Sequence, residues 1–222
     1  MMRRGTLLAA MGLAAVTVAC SNPLKFVVDN YFRAVNQGDS QTLSSFATVS
    51  LEKKVQSWKI VQALPPTEAP APLPDLVQKA KDAEVAVTAN KREARNYNFD
   101  HTLEVDQVRE LRKGGRPIPA KLQSVAETWD KYVEKERQLQ RAVGEAKRAV
   151  EKEKQIVLLS VSGIENVDTI PGVVTTQQLE LLLTVDGQQA PYLMTLRQYK
   201  LEPPDGGRLM SRWVITELAP KS

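Results

Sequence analysis

The sequence predicts an α+β fold, in which a pair of N-terminal helices packs on an antiparallel sheet and an antiparallel coiled-coil hairpin is inserted between the two parts. Three observations carry that expectation. Apolar residues recur at helical spacing from Leu24 to Val35, and two charged runs between Asp75 and Lys154 repeat their apolar positions in steps of four and three. Gln155 to Leu218 is strand-like, with turn residues between its runs. The 222 residues thus divide into a leader over 1–19, an α+β domain over 20–64 and 155–222, a proline-rich connector over 65–74 and a helical insertion over 75–154.

The chain opens with Met1-Met2-Arg3-Arg4, then the apolar run Leu7 to Ala19, then Cys20-Ser21-Asn22-Pro23. Two positive charges, a short apolar stretch and small residues at its end have the form of a secretory signal. The run is too short for a spanning helix, which needs about 20 apolar residues. Arg3-Arg4 lacks the flanking residues of a twin-arginine signal. Thr17-Val18-Ala19-Cys20 resembles the lipobox of bacterial lipoproteins, with Thr17 where leucine is usual. That resemblance implies that Cys20 is acylated, becomes the mature N-terminus and holds the protein on a lipid bilayer by two or three chains, palmitate among them. Ser21 stands where some bacteria place an aspartate for inner-membrane retention, so the resemblance points to the outer membrane of the cell envelope, facing the periplasm. Ordinary cleavage after Ala19, leaving a free thiol, is the rival reading.

Cys20 is the sole cysteine, which excludes an intramolecular disulfide and leaves stability to an apolar core. The formal charge of +4 falls to +2 once Arg3 and Arg4 are removed. That balance excludes a nucleic-acid reader, which concentrates basic residues on one face.

In "NPLKFVVDNYFRAVNQGDSQTLSSFATVS", Leu24, Val27, Val28, Tyr31, Phe32 and Val35 form the apolar face of a helix. Gly38 is placed to end it, and Asp39 or Ser40 to cap a second short helix carrying Leu43 and Phe46. "LEKKVQSWKIVQAL" reads as a strand with Trp58 and Ile60 on one face. "PPTEAPAPLP" holds five of the 13 prolines and is expected to be a stiff, extended link that continues neither strand nor helix.

Leu76, Ala80, Ala83, Val87, Asn90, Ala94, Tyr97, His101, Glu104, Val108 and Leu111 form one heptad seam. Leu122, Val125, Trp129, Tyr132, Glu136, Leu139, Val143, Ala146 and Val150 form the other, across the turn "KGGRPIP". If Leu111 faces Leu122, then Tyr97 faces Glu136 and His101 faces Tyr132, so Tyr97, His101, Tyr132 and Glu136 meet in one polar layer that can fix register. The poor helix propensity of "NYNFDHT" predicts a kink near Asn96 to Asp100. At the tip, Arg109, Arg112, Lys113, Arg116 and Lys121 outnumber the local acids and form a basic patch suited to an anionic surface or an acidic partner.

The last segment is expected to form four successive strands, "IVLLSVSG", "VVTTQQLELLLTV", "PYLMTLRQYKL" and "RLMSRWVITEL", with hairpin turns at Asp186-Gly187 and Pro203 to Gly207. "YFRAVNQGDSQTLSSFA" and the closing "GGRLMSRWVITEL" resemble the first helix and last strand of the nuclear transport factor 2-like superfamily. The resemblance covers Leu24 to Leu64 and Gln155 to Leu218, and implies a curved, cone-like sheet wrapped around helices. Tyr31, Trp58, Tyr192, Tyr199 and Trp213 could then line a pocket or fill a core.

Enzymes of that group usually work inside the cone with Asp and His, but the lone histidine, His101, lies in the insertion. It lacks the second His or Cys of a transition-metal site, and Gly114-Gly115 lacks the preceding strand of a phosphate loop. No catalytic residue, metal or cofactor is assigned. The leading expectation is a non-enzymatic envelope protein whose hairpin engages another envelope component. A small-ligand module using the cone is the alternative, and an enzyme the third.

Overall fold

The computed structural model describes residues 23–161, 164, 166–204, 206, 207 and 209–221. Helix α1 (Pro23–Gln37) buries Val28, Tyr31, Phe32, Ala34 and Val35, the face its spacing marks out. Gly38 ends it at φ 67°, its N–H donating to Val35 O and that of Asp39 to Ala34 O. A left-handed residue closes the last turn here, and glycine adopts it without steric cost. Asp39 caps α2 (Ser40–Ser44), its Oδ1 accepting from Thr42 N–H at 2.9 Å. Leu43 is buried in α2, and Phe46 lies half-buried beyond the end of that single turn.

The six strands form four columns. Strand β1 (Ser57–Ala63) and strand β2 (Thr67–Pro70) share the outer edge of β3 (Gly172–Val185). Strand β4 (Gln188–Leu201) pairs with β3 along its whole length, and its far edge is shared by β5 (Leu209–Met210) and β6 (Val214–Pro220). Every strand pairing is antiparallel, so the chain is α+β with an antiparallel sheet. Asp186 and Gly187, at φ 52° and 76°, make the two-residue link between β3 and β4. Two positive φ values are what the twist of paired strands requires of such a turn.

Three expectations are corrected. Ile156 to Ser160, expected as a strand, is the C-terminal end of α5 (Ala120–Ser160), so the expected boundary at 154/155 falls inside a helix. Adjacent Ile156 and Val157 are both buried while Leu158 is exposed, a helical pattern and not an alternating one. The proline-rich segment is more than a link, because Thr67–Pro70 pairs with Val173–Thr176. An edge position tolerates the missing proline N–H. The last expected strand is also split into β5 and β6, so the four-strand meander gives way to one long hairpin with two short strands on each edge.

Side chains alternate between the faces of the β3–β4 hairpin, and the core alternates with them. Leu179, Leu181 and Leu183 share a face with Met194 and Leu196, and pack with Val28, Tyr31, Phe32 and Leu43 of the helix pair. Val174, Tyr199 and Leu201 lie on the opposite face, toward the other end of the hairpin. There they pack with Leu73, Ile156, Val157 and Val214. The second core fixes the base of the insertion to the sheet.

Helix α3 (Leu73–Asp100) has Pro74 in its first turn, where a missing N–H costs nothing. It stops at His101, whose φ of −123° and ψ of 32° interrupt the helix before α4 (Thr102–Lys113). Ion pairs Glu84–Lys147, Lys91–Glu136 and Arg112–Asp130 show that α3 and α4 run antiparallel to α5. All 20 expected seam positions are buried or half-buried. Near the turn, Val108, Leu122 and Ala126 close the seam with Leu111 and Ile118. At 1.5 Å per residue, the 41 residues of α5 span about 60 Å.

Candidate functional site

Strand alternation puts Arg197 and Tyr199 on one face of β4, and the fold packs α5 on that face. Arg197 pairs with Thr176 of β3 and Val214 of β6. Glu153 lies between Val150 and Val157 on the inner face of α5, and both it and Val157 are buried. Its Oε2 accepts from Arg197 Nη1 at 2.8 Å, and its Oε1 accepts from the Tyr199 hydroxyl. The Arg197 guanidinium also lies 5.5 Å from the centre of the Tyr199 ring. Burial pushes the Tyr199 phenol far above its ordinary range, and the bond to Glu153 adds to the shift. The phenol therefore keeps its proton and acts as a donor.

Glu153 and Arg197 themselves line an open groove of about 350 Å³, together with Lys152, Thr176, Thr195, Thr216 and Glu217, among others. Both oxygens of Glu153 are occupied, Arg197 is paired, and Tyr199 is held protonated. The triad is thus a clamp between α5 and the sheet, with no free acid or base to offer a substrate. Periodicity carried a signal for it: Val150, Glu153 and Val157 are spaced by three and four, so an acid stood on an apolar stripe.

Of the five aromatics that could line a pocket or fill a core, Tyr31 lies in the first core with Trp58, Tyr192 and Trp213 packed against it, and Tyr199 lies in the second. Tyr31 is fully buried against Phe32, their ring centres 5.2 Å apart, and Trp58 stacks on the same Phe32 at 5.2 Å. Burial pushes the Tyr31 phenol up to about 12. Trp58 Nε1 donates to Asp29 Oδ1 at 2.8 Å, and Lys25 Nζ lies 2.6 Å from Oδ2. The Lys25 and Trp58 bonds hold the Asp29 carboxyl below its usual range. Tyr192 edges a depression with Ser50, Leu51, Lys53 and Val185. Trp213 lines a separate apolar groove with Phe26, Val27 and Phe46, and Tyr199 sits in the second core. Sheet alternation sends Tyr199 to the face opposite the helix pair, apart from the other four.

On the arm, Tyr97 contacts His101 and Tyr132, with ring centres 4.5 and 5.5 Å apart. Glu136 is not in that layer; it pairs with Lys91 at 3.6 Å. The break at His101 resets the helical phase, so a register counted from the turn through α4 no longer holds in α3. Asn90 is buried there, its Nδ2 donating to Tyr132 O at 3.3 Å.

The basic tip is largely neutralised. Arg112 makes a two-pronged bond to Asp130, Lys113 pairs with Glu110, and Arg109 pairs with Asp106 while lying 4.8 Å from the centre of the Trp129 ring. Arg116 and Lys121 are exposed and have no carboxylate partner among the described residues.

What sequence reasoning missed lies just outside the seam. Phe99 and Leu103 flank the break at His101 and are 81% and 77% exposed. Neither falls on a heptad position, and that was the available signal: large apolar residues off the seam of an otherwise charged helix.

Cys20 lies outside the described residues, three positions before the start of α1. Among the described residues, no helix is long and apolar enough to cross a membrane. No group of three or more His, Cys, Asp or Glu among them is arranged to hold a metal. Comparison of the chain with known protein families, characterised proteins and solved structures finds no match to any of them.

Proposed function

We propose that this protein is a lipid-anchored component of the bacterial envelope that acts by docking a partner rather than by catalysis. Its sheet and helix pair are read as a nuclear transport factor 2-like cone, and α3, α4 and α5 as an inserted antiparallel coiled-coil hairpin. The anchor is the acylated Cys20, in the outer membrane and facing the periplasm. The observation that carries the docking reading is the exposed pair Phe99 and Leu103. An apolar patch left in water is a candidate contact surface, and these two stand off the seam, four positions apart, on either side of the break. The small-ligand alternative has less to stand on, since Tyr31, Phe32, Leu181, Leu183, Met194 and Ile215 fill the space beneath α1.

The double variant Phe99→Asp, Leu103→Asp tests the proposal in protein purified from native membranes. Both side chains are exposed, so the thermal midpoint is expected to stay within a few degrees of wild type. An envelope protein is expected to co-purify with the wild type and to be lost from the variant. Unchanged co-purification with a folded variant would remove the arm from the proposal.

A further inference from the structure

An apolar groove of about 500 Å³ opens at the N-terminal end of α1, lined by Pro23, Phe26, Val27, Phe46, Arg212 and Trp213. Phe26 is 69% exposed there. A large aromatic beside a half-buried tryptophan is costly to leave in water, yet neither core uses Phe26. Arg212 stands at the rim. Its Nε donates to Leu159 O at 2.7 Å, and its guanidinium makes no ion pair among the described residues.

What covers this groove follows from where the chain continues. Pro23 lines it, and Cys20 is three residues upstream. At no more than about 3.6 Å per residue, three residues reach about 11 Å. A bilayer holding Cys20 therefore comes to within that distance of the groove. Aromatic side chains are favoured at the headgroup boundary, and a neighbouring arginine adds attraction to anionic lipid.

We infer that this groove is a membrane seat: Phe26 and Trp213 rest at the headgroup boundary of the phospholipid leaflet that holds Cys20, with Arg212 on lipid phosphate. The inference depends on the lipid-anchor reading. Its consequence is orientation. Arg212 is bonded through its side chain to Leu159 O and through its backbone N–H to Ser160 O, at the C-terminal end of α5. The seat is thus joined to the base of the arm, and the tip lies at the far end of a helix about 60 Å long. A flexible tether alone would leave the arm free to point anywhere.

The test places one nitroxide on the full acylated protein, purified from native membranes and reconstituted into phosphatidylethanolamine–phosphatidylglycerol vesicles. Phe26→Cys reports the seat, and Val85→Cys, 66% exposed on α3, reports the arm. Acylation blocks the sulfur of Cys20, so each variant should take up one label per chain. The expected result is a label at 26 that collides with oxygen but is shielded from a water-soluble nickel chelate, with the ratio several-fold above that at 85. Equal nickel access at 26 and 85 would overturn the seat while leaving the anchor intact. Shielding from both reagents would show protein covering the groove, a second copy or a partner, and would also overturn it. Two labels per chain would show a free Cys20 thiol, and the anchor and the seat would fall together.

Discussion

Arg197→Ala is expected to lower the unfolding free energy by about 3 kcal/mol, because it strands the Glu153 carboxylate inside the α5–sheet junction. The Glu153 side chain is 9% exposed and that of Arg197 20%, which puts the expectation at the lower end of the range for a fully buried pair. Glu153 keeps only the Tyr199 hydroxyl in the variant, and the second core loses the guanidinium lying over the Tyr199 ring. Urea unfolding of the soluble form carrying Cys20→Ala measures it. Replacing both partners with apolar residues of similar size, Arg197→Met with Glu153→Leu, should restore most of the loss, since desolvating an ion pair offsets much of its attraction. A loss below about 1 kcal/mol for Arg197→Ala would mean that the junction is open enough for water to solvate Glu153, as at exposed pairs.

Cys20→Ala is expected to move essentially all of the protein from the membrane to the soluble fraction. Each buried methylene of an acyl chain contributes about 0.8 kcal/mol, and stable anchoring needs more than one chain or signal. The seat proposed at Phe26 and Trp213 is too small to replace that. Fractionation of cells carrying the variant, washed in mild salt, reads the result. Retention on the membrane would contradict acylation as the anchor.

The parts of the fold legible in the sequence are those set by short-range rules. The face of α1, the Gly38 stop, the Asp39 cap and the Asp186-Gly187 turn each depend on residues within one or two turns of each other. The arm seam was legible for the same reason, since a repeat of three and four is a local property. The helical end at Ile156 to Ser160 was not, because a short apolar run suits a buried strand or a buried helix equally. Only the apposed face of β4 decides it. Strand β2 was hidden by the prolines around it; the one it contains, Pro70, stands on an edge strand, where a missing N–H matters less.

The candidate sites divide in the same way. Counting back from the turn pairs Tyr97 with Glu136 and His101 with Tyr132, whereas Tyr97 lies against both His101 and Tyr132, and Glu136 pairs with Lys91 beyond the break at His101. The Glu153–Arg197–Tyr199 clamp joins residues 44 and 46 positions apart, and no local pattern contains that pairing. The separation of Tyr199 from Tyr31, Trp58, Tyr192 and Trp213 likewise depends on which face of the sheet each lies against.

The docking proposed for the arm runs through the face at its break. Site-specific photocrosslinking in the native host tests it most directly, with the probe placed at 99 or 103 on the arm or at Val61 on β1, where the native valine is 60% exposed. One discrete adduct is expected, shared by probes at 99 and 103 and absent at 61. No adduct from the arm, or the same adduct from all three positions, would contradict it.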